Sequence, residues 1–294
     1  MQKVFLTGST GLIGKELFSN LKKKYKVIRI SNNKNKSNNR ILYCNYGSKR
    51  DVKDFIKKNS IPDIFIHSAW GKMTEPNNKY HLNQNVNNFK NLINELYKKG
   101  LKKFVFIGTI NEYGQNKGKV REEMKPVGNL RNYEKAKIEC GKIGKKLSKI
   151  YNKIFIHIRL SNIYGPIKRE NSLIHSLHLA NKKNISPKVS SLNFYRDYMH
   201  SSEASKGIQK VFENCNKSLI INVGSGKKIL MRDFVKLYWL ILGGGKPILF
   251  KDDKLNNAID KGYYLDISLL KKITKWKSRL NEINGIKKNI KNYK

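Results

Sequence analysis

A chain of 294 residues with 39% hydrophobic content, 12 Phe, 15 Tyr and 3 Trp carries enough apolar side chains for one large core or two interlocked ones, which excludes disorder throughout. Cys44, Cys140 and Cys215 are far apart and lack a Cys-x-x-Cys spacing, so they read as free thiols, neither a disulfide framework nor a metal site. A formal charge of +40 raises the question of nucleic acid, but the lysines are scattered among Asn and Ile, as in "SNNKNKSNN" and "INGIKKNIKNYK", a pattern that A-rich codon usage produces without a specific polyanionic partner.

The opening apolar run Val4-Phe5-Leu6 is too short for a signal peptide, and no stretch approaches the ~18 apolar residues of a membrane span. A soluble cytoplasmic protein without membrane insertion is expected. Residues 3–7 form a strand that stops at "GSTGLIG", and residues 15–24 carry Leu17, Phe18 and Leu21 at helical spacing. A second strand over 25–31, a polar loop and a third strand over 40–44 follow. The pattern then predicts a helix over 51–59 and a fourth strand in "PDIFIHSAW", with Pro62 where no ladder donor is needed. Leu82, Val86, Phe89, Leu92, Ile93 and Leu96 predict a long helix over 80–99, ended by Gly100. Strands over 103–107 and 154–160 flank a helix over 133–149. Such alternation implies right-handed βαβ crossovers and an α/β fold, a Rossmann-type doubly wound parallel sheet. After Gly165-Pro166 the alternation fails. A helix near 172–181, a strand at 219–223, a helix at 231–242 and a basic tail remain. The expected division is a dinucleotide-binding unit over 1–165, with a returning segment near 196–224, and a smaller, mainly substrate-binding unit over 166–294.

Gly8, Gly11 and Gly14 sit between the first strand and first helix, where glycines permit a tight turn, close approach to a pyrophosphate and close helix packing. A dinucleotide site usually has a carboxylate about 20 residues further on to bind the adenosine ribose. Here the strand ends in Arg29-Ile30-Ser31-Asn32, with Lys34, Lys36 and Arg40 nearby. Asn32 takes the ribose position, and NADP(H) is favoured over NAD(H). Tyr133 and Lys137 lie one helical turn apart, so an ammonium would stabilise the phenolate and make the phenol a usable acid or base. Thr109, at the end of a neighbouring strand, lies where α/β sheets place their active-site groups.

With "TGSTGLIG", "DIFIHSAW", "FIGTINEYG", "YEKAK", "RLSNIYGP", "RDYMH", "NVGSG" and the late "LDIS" in order, the chain resembles the extended short-chain dehydrogenases/reductases, the NAD(P)-dependent nucleotide-sugar epimerase/dehydratase family. The resemblance implies that Leu12 and Ile13 donate amides to the pyrophosphate, that His67 and Ala69 line the cofactor, and that Lys137 holds the nicotinamide ribose and tunes Tyr133. It further implies that Thr109 contacts the reacting sugar oxygen, that Tyr133 exchanges its proton, and that Asn85, Asn162 and Arg196 face the sugar nucleotide. In the family's 4,6-dehydratases Asp and Glu follow the Thr directly; Ile110 and Asn111 stand here, and neither can shuttle a proton. Three further departures are Asn45 near the adenine position, Trp70-Gly71 after the His-x-Ala strand, and Glu112 before the tyrosine. The first expectation is reduction of a nucleotide-linked 4-keto-6-deoxy sugar. The alternative is a nucleotide-sugar 4-epimerase using NAD. A non-catalytic dinucleotide sensor is third, and the intact Thr109, Tyr133 and Lys137 set argues against it. A nucleotide sugar is the expected partner, a homodimer is compatible with the resemblance, and no metal is implied.

Overall fold

The computed structural model describes residues 1–167, 170, 172–251 and 262–293. In chain order the elements are β1 (Lys3–Thr7), α1 (Leu12–Leu21), β2 (Lys26–Ser31), β3 (Leu42–Tyr43), α2 (Lys49–Asn59), β4 (Ile64–His67), α3 (Val86–Lys98), β5 (Lys103–Ile107), β6 (Gly118–Val120), α4 (Asn132–Ile150), β7 (Ile154–Leu160), β8 (Asn162–Tyr164), α5 (Leu173–Lys182), β9 (Lys188–Val189), β10 (Tyr195–Arg196), β11 (Tyr198–His200), α6 (Ser201–Asn214), β12 (Leu219–Val223), β13 (Ile229–Leu230), α7 (Met231–Ile241), β14 (Leu249–Phe250), β15 (Gly262–Leu265), α8 (Ser268–Thr274) and α9 (Glu282–Asn292).

Seven strands make one parallel sheet in the order β12-β7-β5-β4-β1-β2-β3. The chain builds outward from β1 through β2 to β3, then crosses over to β4 and builds the other way. The strand order therefore reverses between β1 and β4, which opens a crevice at their carboxyl ends. Alternation within each strand sends its side chains to opposite faces. Val4 and Leu6 pack with Leu17 and Leu21 of α1 and with Ile208, Val211 and Phe212 of α6. Phe5 points the other way, among Val52 and Ile56 of α2, Phe89 and Ile93 of α3, and Ala136 and Cys140 of α4. A third apolar cluster joins Tyr164, Leu177 of α5, Phe234 and Tyr238 of α7 and Ile286 of α9. A small sheet in the order β13-β10-β15-β6 and the pairs β11-β8 and β14-β9 complete the strand pairing among the described residues.

Three expectations change. The third strand shortens to Leu42–Tyr43 because Asn38 and Ile41 close a turn, with Asn38 Oδ1 accepting from Arg40 N. The long helix over 80–99 opens with a π-helical stretch, His81–Asn85, before its regular part. The basic tail holds α8 and α9; the buried stripe of α9 is Gly285, Ile286 and Asn289, two of which do not read as apolar. No described helix is long and apolar enough to cross a membrane.

Candidate active site

The glycine turn is packed too tightly for other residues. Gly8 has φ +70°, and a Cβ there would lie 2.6 Å from Ala69 N; a Cβ on Gly14 would lie 2.0 Å from Gly8 O. Helix α1 starts at Gly11 with no side-chain cap and no acidic residue in its first turn. The Leu12 and Ile13 end of the helix therefore offers amides and positive dipole to an anion without a competing carboxylate, which fits a dinucleotide pyrophosphate. Thr7 braces this floor: its Oγ1 accepts from Ser68 N and Ala69 N, both at 3.2 Å, and its hydroxyl donates to His67 Nδ1 at 3.0 Å. His67 is buried among Phe65, Phe104 and Phe106, and burial and then repulsion from Lys137 push it down to about 3. In this position His67 is a neutral strut that ties β1 to β4, while Ala69 forms the wall against which Gly8 packs.

At the end of β2, Ser31 Oγ accepts from Asn33 N, and Asn33 caps the short turn Lys34–Lys36, leaving Asn32 exposed. The Arg29 guanidinium lies 4.3 Å from the centre of the Phe18 ring, and its Nε donates to Arg40 O at 3.1 Å. Burial and then the nearby Arg40 charge lower its proton affinity. Neither arginine has an acidic partner among the described residues. Asn45 Oδ1 accepts from Gly47 N within its own turn.

Thr109, two residues past the end of β5, caps the short helix Ile110–Tyr113: its Oγ1 accepts from Asn111 N at 3.2 Å, and the Glu112 carboxylate accepts from Thr109 N at 2.9 Å. Such a reciprocal cap fixes the turn from both ends. Tyr133 is the second residue of α4, half-buried, with its N–H donating to Pro76 O at 2.9 Å. One turn on, Lys137 is buried; its Nζ donates to Ile107 O at 2.7 Å and lies 6.0 Å from the centre of the Tyr133 ring. The same ammonium sits 3.8 Å from the centre of the Trp70 ring. Burial pushes Lys137 down to about 8, against the raising influence of Cys140 and Glu112.

Trp70 covers that ammonium, and two residues that sequence reasoning left aside or placed elsewhere hold it there. Its Nε1 donates to His81 Nδ1 at 3.0 Å, which leaves His81 Nε2 to donate to Glu75 O at 3.0 Å. Both ring nitrogens are thus committed, Nδ1 as an acceptor and Nε2 as a donor. Asn85 Oδ1 accepts from Gly71 N and its Nδ2 donates to Gly71 O, so this side chain shapes the turn after β4.

The later motifs meet the same region. Asn162 N donates to Asp197 O at 3.1 Å, joining β8 to the chain beside Arg196. Buried Asp197 accepts from Ser225 N, Ser225 Oγ and Gly226 N, so "RDYMH" and "NVGSG" form one node. The Arg196 guanidinium packs 4.7 Å from the centre of the Phe194 ring and 5.0 Å from that of Tyr263. Its proton affinity is lowered by burial, and it has no acidic partner among the described residues. Tyr263, absent from the sequence-derived set, donates its hydroxyl to Asn111 Oδ1 at 3.4 Å and so links the Thr109 turn to the Arg196 strand. Its only sequence signal is a place two residues before the Leu265-Asp266-Ile267-Ser268 stretch. Among the described residues, no group of three or more His, Cys, Asp or Glu side chains could hold a metal ion.

The profile of the NAD dependent epimerase/dehydratase family matches residues 4–224, a span that takes in the glycine turn, Thr109, Tyr133 and Lys137. The chain belongs to this family. As a family member it is an NAD(P)-binding, Rossmann-type enzyme of the short-chain dehydrogenase/reductase kind. An ADP-L-glycero-D-manno-heptose-6-epimerase of Brachyspira hyodysenteriae is 26% identical over 97% of this chain and 96% of its own length. A putative UDP-glucose 4-epimerase of Methanocaldococcus jannaschii is also 26% identical, over the same shares. Among solved structures, UDP-glucose 4-epimerase of Thermotoga maritima with UDP-glucose superposes with a TM-score of 0.83 at 20% identity, covering 99% of this chain and 98% of that one. UDP-glucuronic acid 4-epimerase of Bacillus cereus in complex with NAD superposes with a TM-score of 0.80 at 20% identity, with the same coverage.

Proposed function

We propose that this family member is a nucleotide-sugar 4-epimerase in which Thr109, Tyr133 and Lys137 carry the chemistry. The observation behind this reading is the placement of one phenol, one hydroxyl and one buried ammonium around the carboxyl end of β5, with no proton carrier at the two positions directly after Thr109 and the Glu112 carboxylate of that turn committed to Thr109 N, His157 and Arg159. Ile110 is buried in the core and Asn111 presents an amide already paired with Tyr263. Water elimination needs an acid and a base there, whereas epimerisation needs a single group to take and return one proton. Tyr133 would take the proton of the sugar 4-hydroxyl and give it back, Thr109 would hydrogen-bond the same oxygen, and the Lys137 charge would favour the phenolate. The cofactor supplies hydride acceptance from the sugar carbon and its return to the opposite face. Arg196, a half-buried guanidinium without an acidic partner among the described residues, suits the diphosphate of a sugar nucleotide. The relatives named above support epimerisation over the reduction expected first.

Reduction of a 4-keto sugar is the second reading, favoured by the end of β2: Arg29 and Arg40, with no carboxylate beside them, suit the 2′-phosphate of NADP(H). Residues 1–165 with 196–224 would hold the cofactor, and the remainder mainly the substrate.

Purified protein incubated with UDP-glucose, UDP-N-acetylglucosamine and UDP-glucuronic acid, with NAD⁺ or NADP⁺ added, is followed by proton NMR for inversion at C4. Interconversion of epimers without net cofactor reduction supports the proposal. Oxidation of NADPH in proportion to a nucleotide 4-keto sugar, with no epimer formed, replaces it by the second reading. Elimination of water from any of the substrates overturns both.

A further inference from the structure

Glu112 has no part in the chemistry above, yet the fold commits several positions to it. Its side chain is fully buried, and its carboxylate accepts from Thr109 N at 2.9 Å, His157 Nε2 at 3.0 Å and Arg159 Nε at 3.2 Å. His157 and Arg159 alternate along β7 with Ile156 and Ile158, which enter the core on the other face of the sheet. Two glycines make the room. A Cβ on Gly108 would lie 2.3 Å from Glu112 Oε1 and 2.4 Å from His157 Nε2, and one on Gly141 would lie 2.5 Å from His157 Nδ1. That Nδ1 has no hydrogen-bond partner among the described residues, so the arrangement carries a desolvation penalty as well. A buried ion pair is a poor way to gain stability, because apolar residues of the same volume commonly do as well or better. The explanation therefore lies in what the carboxylate adjoins: the Thr109 amide and, across the end of β5, the ammonium bound to Ile107 O.

We propose that Glu112 is a positioning residue of the hydride-transfer site, setting the Thr109 turn and supplying the buried negative charge that balances Lys137. The proposal rests on the reading that Thr109, Tyr133 and Lys137 perform the chemistry. Burial pushes the Glu112 carboxyl up, but His157, Arg159 and the Thr109 amide together hold it below the ordinary carboxylate value, so it stays charged. The groups that face it are the Thr109 amide, His157 and Arg159 from β7, and Lys137 and Cys140 from α4. Arg159 does not take the whole charge: its guanidinium also donates to Glu122 O at 3.0 Å and lies 4.5 Å from the centre of the Tyr113 ring. Lys137 in turn faces Glu112, Cys140, His67, Tyr133 and the rings of Trp70 and Phe106. Glu112→Gln keeps the shape and an acceptor for Thr109 N–H while removing the charge.

The test is NMR of the full-length protein carrying ¹³C-lysine, with the Lys137 resonance assigned by its loss in Lys137→Arg. In the wild type its titration midpoint is expected at about 8. In E112Q the midpoint should fall by at least about half a pH unit, roughly a threefold loss of proton affinity. An unchanged midpoint in folded E112Q overturns the proposal. Should E112Q fail to fold, E112V/H157V/R159M removes the network as a unit and leaves only Lys137 without its counter-charge; its midpoint should still fall, by less than in E112Q because the positive charge of Arg159 is removed as well; a wild-type midpoint there overturns the proposal equally. This readout needs no turnover, so failure of the epimerase assay and failure of the Glu112 role are separate results. If epimerase activity is found, the alkaline limb of kcat in E112Q must move toward acid by the same amount, while a uniform loss at all pH values assigns Glu112 a purely structural role.

Discussion

Replacing Lys137 by Met separates what the site does from what it costs. Lys137 is buried, and burial pushes it from 10.5 down to about 8. At ~1.4 kcal/mol per pH unit, keeping it protonated in the fold costs about 3 kcal/mol at neutral pH. Met fills a similar volume without the charge but gives up the 2.7 Å hydrogen bond to Ile107 O, worth ~1 kcal/mol. K137M should therefore be more stable than the wild type by about 2 kcal/mol at neutral pH while losing turnover, a trade expected where function requires a destabilised group. The sign with pH is definite. Below pH 8 both the folded and unfolded wild type hold the proton and the whole penalty is present. Between about 8 and 10.5 only the unfolded chain holds it, so wild-type stability relative to K137M rises by about 3 kcal/mol and then levels off. Chemical denaturation of both proteins at intervals across this range measures the difference directly, and the contribution of the other lysines cancels. A difference that stays flat with pH would refute the reasoning, because it would mean that Lys137 titrates alike in both states.

Three further outcomes follow from other parts of the molecule. Tyr133→Phe should lower turnover by about 10²–10⁴-fold, the range for a lost acid–base group, with cofactor affinity unchanged; an active variant removes Tyr133 from its role. In Gly14→Ala the new Cβ would lie 2.0 Å from Gly8 O. Relief of that overlap must open the turn, so fluorescence titration should find dinucleotide affinity weakened by more than about tenfold, or ~1.4 kcal/mol; unaltered affinity would mean that the pyrophosphate does not lie on this turn. Asp197→Ala leaves Ser225 N and Gly226 N without their buried acceptor. At ~1–3 kcal/mol for each orphaned donor, thermal or chemical unfolding should show a loss of more than about 2 kcal/mol, whereas a loss near zero would mean that the loop reorganises freely.

The parts of this protein that can be read from its sequence are those written in local pattern. Strands Lys3–Thr7, Lys103–Ile107, Ile154–Leu160 and Leu219–Val223 lie where the sequence places them, because strands of a sheet covered on both faces are dense in apolar side chains, a run interrupted in β7 only by His157 and Arg159 and in β12 only by Asn222. Gly8, Gly11 and Gly14 announce their turn because only glycine fits that backbone, and Tyr133 and Lys137 announce a shared face because helical geometry brings residues four apart together. Helix α9 was hidden, since its buried stripe uses Gly and Asn: Gly285 lies against the Tyr164 hydroxyl and Asn289 donates to Tyr238. The work of His67 and Trp70 was hidden too, because a strut and a lid are defined by partners that no local spacing names. The charge balance at the site belongs to the same class. Glu112 meets His157 at a separation of 45 residues and Arg159 at 47, and only the parallel pairing of β5 with β7 brings them beneath Thr109. Periodicity and backbone sterics act over a few residues and are legible in sequence; electrostatics in a buried site depends on distances through space, which only the assembled sheet determines.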